Sequence, residues 1–329
     1  MITDQNPAIY WVLAVLFGSL VIGSIARFVA LRNADEEKRR KRFASLRTWW
    51  MLTIAVAAGL LAGRPGICVL LATASCIGWF ELTRMTGAQS DYKYVTRAGY
   101  GLIVVNYLLI LSGSISLFAV FLPVASLVVF AVLLLIQDEP KGYIRASGSL
   151  LWGIMFLGYG VSHAAVLMVF AIESPPPVGL AGWFLFLVIL TETDDIFQAI
   201  VGRMFGSRKR HRIAPVVSPN KTWEGFFGGL LVIVVVAPVI APWLTTFGQH
   251  AGPFSLPEAL WPWAGPVLAA ILVSFAGFFG DINMSAIKRD AGVKDSSKLL
   301  PGMGGAIDRI DSLSMTAPVF LYFVIWWTG

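Results

Sequence analysis

Residues 285–311, SAIKRDAGVKDSSKLLPGMGGAIDRID, combine side chains that could do chemistry with glycines that permit a tight loop. Aspartates hold divalent cations through oxygen, and lysines and arginines bind phosphate groups. Glycines allow backbone N–H groups to approach an anion closely. This composition is typical of a site that neutralises and positions phosphates, as phosphoryl-type transfer requires.

The spacing of these residues predicts which of them lie together. Asp281, Ser285 and Lys288 recur at intervals of four and three residues, so a helix that continues through them presents all three on one face. Asp308 and Asp311 are three residues apart and share a face of the next helix. We therefore expect two acidic faces, one on each side of the glycine-containing loop.

A second candidate is TETDDIF, residues 191–197, which places Glu192, Asp194 and Asp195 late in an apolar run. Carboxylates at membrane depth are costly and usually face a partner, a cavity or an ion. Asp194 and Asp195 point in directions about 100° apart on a helix, so at most one is central. The alternative is that all three lie just beyond the membrane boundary in solvent.

A third candidate is GRMFGSRKRHRIAPVVSPNKTWEG, residues 202–225, where a cationic cluster precedes an apolar run. SPNKT predicts a turn into a helix that Asn220 or Thr222 caps and whose positive end Glu224 complements. Amides at that helix end, together with Lys221, suit a phosphate group. An amphipathic loop at the membrane surface is the competing interpretation.

The elements that position these candidates are apolar. Of the 329 residues, 57% are hydrophobic and 13% are charged, and the recurrent apolar runs are long enough to cross a bilayer. We predict an all-α polytopic membrane bundle of about ten helices, with nine as the alternative. The second, third and fourth spans are short, which leaves two readings: one of them is re-entrant, or a span boundary lies elsewhere. The predicted spans are 8–31, 48–62, 65–81, 98–112, 115–136, 147–172, 179–201, 223–248, 262–287 and 312–328.

The distribution of cations predicts the orientation. Of the 25 lysines and arginines, 23 fall in alternate connections of the chain. These connections are 32–47, 82–97, 137–146, 202–222 and 288–311. Cation-rich connections face the cytoplasm, so we place both termini outside and read the net charge of +6 as topological, with no nucleic-acid partner. We interpret 32–43 as a solvated loop, residues 1–178 as scaffold and 179–329 as the catalytic region.

The chemistry-bearing segments resemble those of phosphatidate cytidylyltransferases, also called CDP-diacylglycerol synthases. GRMFG (202–206) and SPNKTWEG (218–225) are similar to segments of that family in the same order. The pattern that carries the resemblance is Ser285-x-x-Lys288-Arg289, Lys294-Asp295, Leu300-Pro301-Gly302-x-Gly304-Gly305 and Asp308-Arg309-Ile310-Asp311. By motif, the resemblance covers about 190–315.

The resemblance implies that CTP and phosphatidate react to give CDP-diacylglycerol and pyrophosphate. It implies Mg²⁺, as two divalent ions or as one with a monovalent cation, and a possible homodimer. The implied metal ligands are Asp281 and Asp311 with Asp195, which is preferred over Asp194 for its seven-residue spacing to Gly202. The implied catalytic residues are Asp281, Lys288, Arg289, Asp308, Arg309 and Asp311. The implied contacts to CTP and the lipid phosphate are Lys221, Ser285, Lys294, Lys298, Gly304 and Gly305.

Three features depart from the family pattern, and the first is that the aspartates of TETDDIF (191–197) sit in a different local context from the usual one. Met303 stands where the family usually has histidine, and Met284 stands where it often has an acid. We expect Met303 to alter nucleotide contacts without abolishing activity, since the implied reaction needs no histidine base. We expect the acyl chains to enter a cavity among the last four spans. The alternatives are a CTP-dependent polyprenol or lipid kinase, an inactive relative or, from another class, a transporter.

Overall fold

The computed structural model describes residues 8–32, 35–170, 175–206, 211–254 and 256–329, and nearly all of them are helical. A π-helical segment, Ile154–Gly160, joins the helices Tyr143–Gly153 and Val161–Val166 into one continuous rod. The helices are α1 (Ala8–Ala30), α2 (Glu36–Leu61), α3 (Gly63–Met85), α4 (Ala88–Asp91), α5 (Lys93–Leu111), α6 (Ile115–Leu135), α7 (Tyr143–Gly153), α8 (Val161–Val166), α9 (Ala181–Phe205), α10 (Trp223–Leu244), α11 (Trp261–Asp290) and α12 (Ile307–Thr328).

Most of these helices are membrane-spanning. Among the described residues, nine helical segments are long and apolar enough to cross a bilayer, with α7, the π segment and α8 counted as one. Apolar side chains such as Trp11 and Ile22 on α1 point outward, as lipid-facing residues do. Helix α9 is 25 residues long and packs along α10. It differs from these nine segments in carrying three carboxylates in its apolar run. The predicted all-α polytopic membrane fold is confirmed.

The spans near the N-terminus are longer than predicted. Helix α2 begins at Glu36, so most of the charged run predicted as a solvated loop (32–43) is helical. The physical reason is that Glu, Lys and Arg are good helix formers, and Glu36 and Glu37 complement the positive helix end. Helices α3 and α5 are also longer than predicted, so α2, α3 and α5 are all full-length spans.

A small hairpin, which the sequence did not predict, precedes α10. Its strands β1 (Arg212–Ala214) and β2 (Ser218–Thr222) pair antiparallel, and the turn lies at 215–217. The prediction of a turn at SPNKT is therefore wrong. Thr222 does cap α10, because its hydroxyl accepts a hydrogen bond from the Gly225 N–H (3.1 Å), a contact worth about 1 kcal/mol. Residues 207–210, part of the predicted cationic loop, lie outside the described residues.

The cation-rich connections meet at one end of the bundle. Residues in or beside them contact the last connection, 288–311, through hydrogen bonds and ion pairs. Three of these contacts are Thr48 Oγ1 to Pro301 O (2.9 Å), Arg145 Nη2 to Asp290 Oδ2 (3.6 Å) and Arg289 Nε to Val217 O (3.3 Å). This end, which we call the polar end, carries the candidate chemistry.

Packing between helices fixes the polar end. Helices α9, α10, α11 and α12 pack on one another, and α12 also packs against α8 and the π segment. Buried aromatic rings fill the core at the other end, where Trp183 meets Phe247 edge to face with ring centroids 4.8 Å apart. The contacts of α12 with α8 and the π segment hold the C-terminal helices against the N-terminal ones.

Candidate active site

Lys221 lies at the centre of a group of charged side chains at the polar end. It is the penultimate residue of β2, and the hairpin directs it between α9 and α11. Its ammonium Nζ lies 2.9 Å from Asp281 Oδ2 and 4.0 Å from Asp195 Oδ1. Its side chain is only 16% exposed, so one cation is shared by two carboxylates in a poorly hydrated place.

Helix α12 contributes the third carboxylate of this group. Ser312 Oγ donates to Asp195 Oδ2 (2.7 Å), which ties α12 to α9. The adjacent Asp311 is buried, accepts from the Ser312 N–H (2.9 Å), and interacts electrostatically with Asp281 and Asp195. We call Asp195, Lys221, Asp281 and Asp311 the central cluster.

The charge of Lys221 is stabilised by its neighbours. Burial alone would lower the pKa of its ammonium, but the carboxylates of Asp281 and Asp195 outweigh that effect and raise the pKa above its ordinary value. Gln198 also accepts from Lys221 Nζ (2.9 Å) and donates to Asp194 Oδ2 (2.8 Å). Lys221 is therefore a fixed positive charge, and Asp194 lies behind the cluster rather than within it.

Lys288 and Asp308 form a second group beside the central cluster. They are an ion pair, and Lys288 is 8% exposed. Asp308 Oδ2 also accepts from the Gly305 N–H (2.9 Å) and from the Ser296 N–H (3.4 Å). The Gly305 N–H, which the sequence predicted to bind a phosphate, therefore donates to the carboxylate of Asp308. Gly304 forms an isolated β-bridge with Leu300 that closes the loop.

Glu81 on α3 is a residue that the sequence analysis missed. It is 2% exposed and accepts four hydrogen bonds, all from the loop between α11 and α12 and from the start of α12. The donors are Ser296 Oγ (2.9 Å), Ser297 Oγ (2.5 Å), Ala306 N (3.0 Å) and Ile307 N (3.0 Å). A carboxylate at a helix N-terminus satisfies amides that the helix leaves unpaired, so Glu81 fixes where α12 begins.

The remaining predicted residues are distributed around these groups. Ser285 donates to Asp281 Oδ1 (3.3 Å), and Arg309, whose Nε is buried, interacts electrostatically with Asp195. Arg289 is exposed and donates to the carbonyls of Val217 and Val293 instead of pointing into the central cluster. Lys294 and Lys298 are exposed and line a separate cavity.

The positions that depart from the family pattern lie in different environments. Met284 is fully buried, so the position is one of packing in α11. Met303 lies in the turn at 301–303, where its N–H donates to the Leu300 carbonyl (3.0 Å). Neither side chain belongs to the central cluster.

The central cluster offers oxygen donors and fixed charge. In the part of the chain that the structure describes, no group of three or more Asp, Glu, His or Cys side chains is arranged to hold one metal ion by itself. Mg²⁺ does not need such a group, because it is usually bound by one or two carboxylates, waters and substrate phosphates. The donor set of the cluster therefore fits Mg²⁺ together with a phosphate ligand.

The chain is similar to known proteins over most of its length. The sequence profile of the cytidylyltransferase family matches residues 43–327. A phosphatidate cytidylyltransferase of Chlamydia pneumoniae is 31% identical over 78% of this chain and 81% of its own, and that of Pseudomonas aeruginosa is 30% identical over 85% and 94%. An uncharacterised Escherichia coli protein, YnbB, is 36% identical over 95% of this chain and 97% of its own.

Proposed function

The chain belongs to the cytidylyltransferase family, and from that premise we propose that it transfers the cytidylyl group of CTP to phosphatidate. The products are CDP-diacylglycerol and pyrophosphate. The observation that carries the proposal is the central cluster, in which Asp195, Asp281 and Asp311 converge around the fixed charge of Lys221 at the polar end. Two relatives named phosphatidate cytidylyltransferases support the choice of acceptor.

The proposed reaction is a displacement at the α-phosphorus of CTP. A phosphate oxygen of the lipid forms the new bond to that phosphorus, and the bond to the oxygen that bridges the α- and β-phosphates breaks. Its electron pair leaves with pyrophosphate. The lipid phosphate is already an anion, so no protein base has to remove a proton from it. The task of the protein is to hold two anions together, which is done by positioning and by fixed charge.

The chain has residues for this task. Lys221 is charged and immobilised by two carboxylates and Gln198, so it presents a preorganised cation to a phosphate. Arg309 adds positive charge near Asp195, and Lys288, paired with Asp308, lies beside the cluster. Asp281 and Asp311, with Asp195, would hold Mg²⁺. When bound, the ion neutralises phosphate charge and orients the leaving group.

We place the polar end on the cytoplasmic side of a bacterial inner membrane, with both termini outside. The support is the concentration of cations in the connections that meet at this end. A C-terminal tag should then be cleaved by protease in spheroplasts with intact membranes. A tag that is cleaved only after membrane rupture would reverse the orientation. The homodimer stays a prediction.

The test of function is an assay of the purified full-length protein with labelled CTP, phosphatidate and Mg²⁺. We expect a CDP-lipid and pyrophosphate, whereas a lipid kinase would give CDP and a phosphorylated lipid. Asp281→Asn and Asp311→Asn should each lower kcat by about 10²-fold or more, because each removes a carboxylate that would hold Mg²⁺ at the reacting phosphates. Asp290→Asn is the control, since Asp290 is exposed.

Two results would contradict the proposal in different ways. The absence of a CDP-lipid with several phosphatidate species and divalent ions would remove the function itself. Full activity in both Asp281→Asn and Asp311→Asn would leave the function and remove the central cluster as its site.

A further inference from the structure

A cavity of about 1350 Å³ lies between α3, α5 and residues 293–299, and no residue of the central cluster lines it. Its walls are mostly apolar side chains of the two helices, including Val69, Phe80 and Val104. These three are exposed on membrane-spanning helices, so the cavity opens sideways to the acyl region of a bilayer. Its volume exceeds the range of about 300–1,000 Å³ for small-molecule pockets, which favours a larger apolar ligand.

The polar mouth of this cavity is cationic. Arg84, Lys294 and Lys298 line it together with a single exposed acid, Asp295. Within the described residues, none of these three cations is in a salt bridge. Lysine and arginine side chains of this kind bind phosphate through charge-assisted hydrogen bonds. The cavity is therefore apolar along its length and prepared for an anion at one end.

The back of the mouth is formed by the loop between α11 and α12. Ser296 and Ser297 line the cavity and donate to Glu81, which in turn holds the start of α12. The Ser296 N–H donates to Asp308 of the Lys288–Asp308 pair (3.4 Å). The anionic end of a ligand in this cavity would thus adjoin the segment that carries the proposed site.

We propose that this cavity is the docking groove for the diacyl phosphate acceptor, with the acyl chains between α3 and α5 and the phosphate first held at Arg84, Lys294 and Lys298, from where it moves to the central cluster to react. This inference rests on the proposed function, because it assigns a place to the lipid substrate of that reaction. It differs from the expectation that the chains enter among the last four spans. A groove of about 430 Å³ between α11 and α12 does exist there, and its lining contains no cation.

A second copy of the chain fits the groove less well. Two copies related by a two-fold axis at this mouth would bring like-charged residues together, which opposes association. A lipid with a phosphate monoester supplies both the apolar chains and the anion that the groove lacks. The positive charge of the mouth therefore favours a lipid phosphate over a second copy of the chain.

The first experiment measures steady-state kinetics of full-length variants. Lys294→Gln/Lys298→Gln and Arg84→Gln should each raise the KM for phosphatidate about tenfold and leave the KM for CTP unchanged, because charge-assisted hydrogen bonds to the lipid phosphate are lost. Arg97→Gln is the matched control, since Arg97 is an exposed cation of α5 outside the cavity lining. Equal effects on both substrates, or none beyond the control, would overturn the proposal.

The second experiment does not depend on turnover. Phosphatidate with a diazirine in one acyl chain is irradiated with the protein in phosphatidylcholine vesicles. We expect label on α3 and α5, displaced by unlabelled phosphatidate and weakened by Val104→Trp but not by Val105→Trp, whose side chain is exposed outside the lining. Label only on α9–α12, or label that excess phosphatidylcholine displaces equally, would overturn the proposal.

The two experiments separate this inference from the proposed function. If CDP-lipid forms and the groove variants behave like their controls, the groove is wrong and the function stands. If the acyl probe labels α3 and α5 specifically but no CDP-lipid forms, the groove stands as a lipid-phosphate site and the function is wrong.

Discussion

Lys221 is the residue on which the charge balance of the central cluster depends. Its ammonium contacts Asp281 and Gln198 directly and lies 4.0 Å from Asp195. Burying two carboxylates costs folding free energy unless a cation accompanies them. Removing one partner of a buried ion pair destabilises a protein more than removing both. Lys221 thus has a structural effect as well as the proposed effect on phosphate.

These two effects can be separated by pairing substitutions. Lys221→Met should destabilise the protein by about 2 kcal/mol, allowing for partial exposure of the pair, because Asp281 loses its cation. Lys221→Met/Asp281→Asn should recover part of that stability, because Asp195 still lacks its cation, and none of the activity. Thermal unfolding in detergent and CDP-lipid formation measure the two quantities. A double variant as unstable as Lys221→Met would show that the pair is not what stabilises the fold here.

The sequence predicted the charged residues of the site better than their uncharged partners. Asp195, Asp281 and Lys221 stand out because ionisable groups in or beside apolar runs need a reason to be there. Gln198 and Ser312 carry no such signal, since a single amide or hydroxyl is common in any helix. Their roles follow only from the packing of α9 against β2 and α12.

Among the elements, the loop between α11 and α12 is defined by a helix far from it in sequence. Glu81 holds this loop, and the only sign of it in the chain is one acid near the end of an apolar run, three residues before Arg84. The hairpin was missed for a different reason. Pro219 lies inside β2, and proline argues against a strand unless the strand is at an edge, as it is in a two-stranded sheet.

Glu81→Gln tests the hold of α3 on this loop. An amide in place of the carboxylate faces at least one N–H or O–H donor with another donor, so we expect faster proteolysis of residues 293–305 and a kcat lower by about tenfold. Glu258→Gln is the control, because Glu258 is exposed in a short 3₁₀ turn before α11. Unchanged proteolysis would show that the four hydrogen bonds do not order the loop.

Gly305→Ala tests the same loop from its other side. A Cβ at Gly305 would collide with Ser296 Oγ and the Glu81 carboxylate, so we expect a loss of about 1–3 kcal/mol and of activity. Gly148→Ala in α7 is the matched control, because nothing lies within 4 Å of the added methyl group and alanine favours a helix. Similar melting temperatures for the two variants would contradict this account of the loop.

At the scale of the whole molecule, residues 1–178 and 179–329 are joined by contacts that the site needs. Helix α12 packs on α8 and α3, and Thr48 donates to the carbonyl of Pro301. The family profile likewise runs through both halves without a break at that boundary. The N-terminal helices thus position the loop between α11 and α12 as well as anchoring the bundle in the bilayer.

A split chain tests this dependence. Residues 179–329 expressed alone should form no CDP-lipid above background, because the loop between α11 and α12 lacks Glu81. Co-expression with residues 1–178 should restore part of the activity, and co-expression with 1–178 carrying Glu81→Gln should restore less. Turnover by 179–329 alone would show that the C-terminal helices form the site without help.

The position of Glu81 also has a consequence for the order of events during synthesis. Its partners lie 215 to 226 residues further along the chain. At about 5–20 residues per second, the ribosome needs on the order of 10–45 seconds to make them. During that interval α3 is inserted with a carboxylate whose donors do not yet exist. The end of α3 that carries Glu81 must therefore stay hydrated until α12 has been inserted. Docking of α12 is then the step that completes assembly.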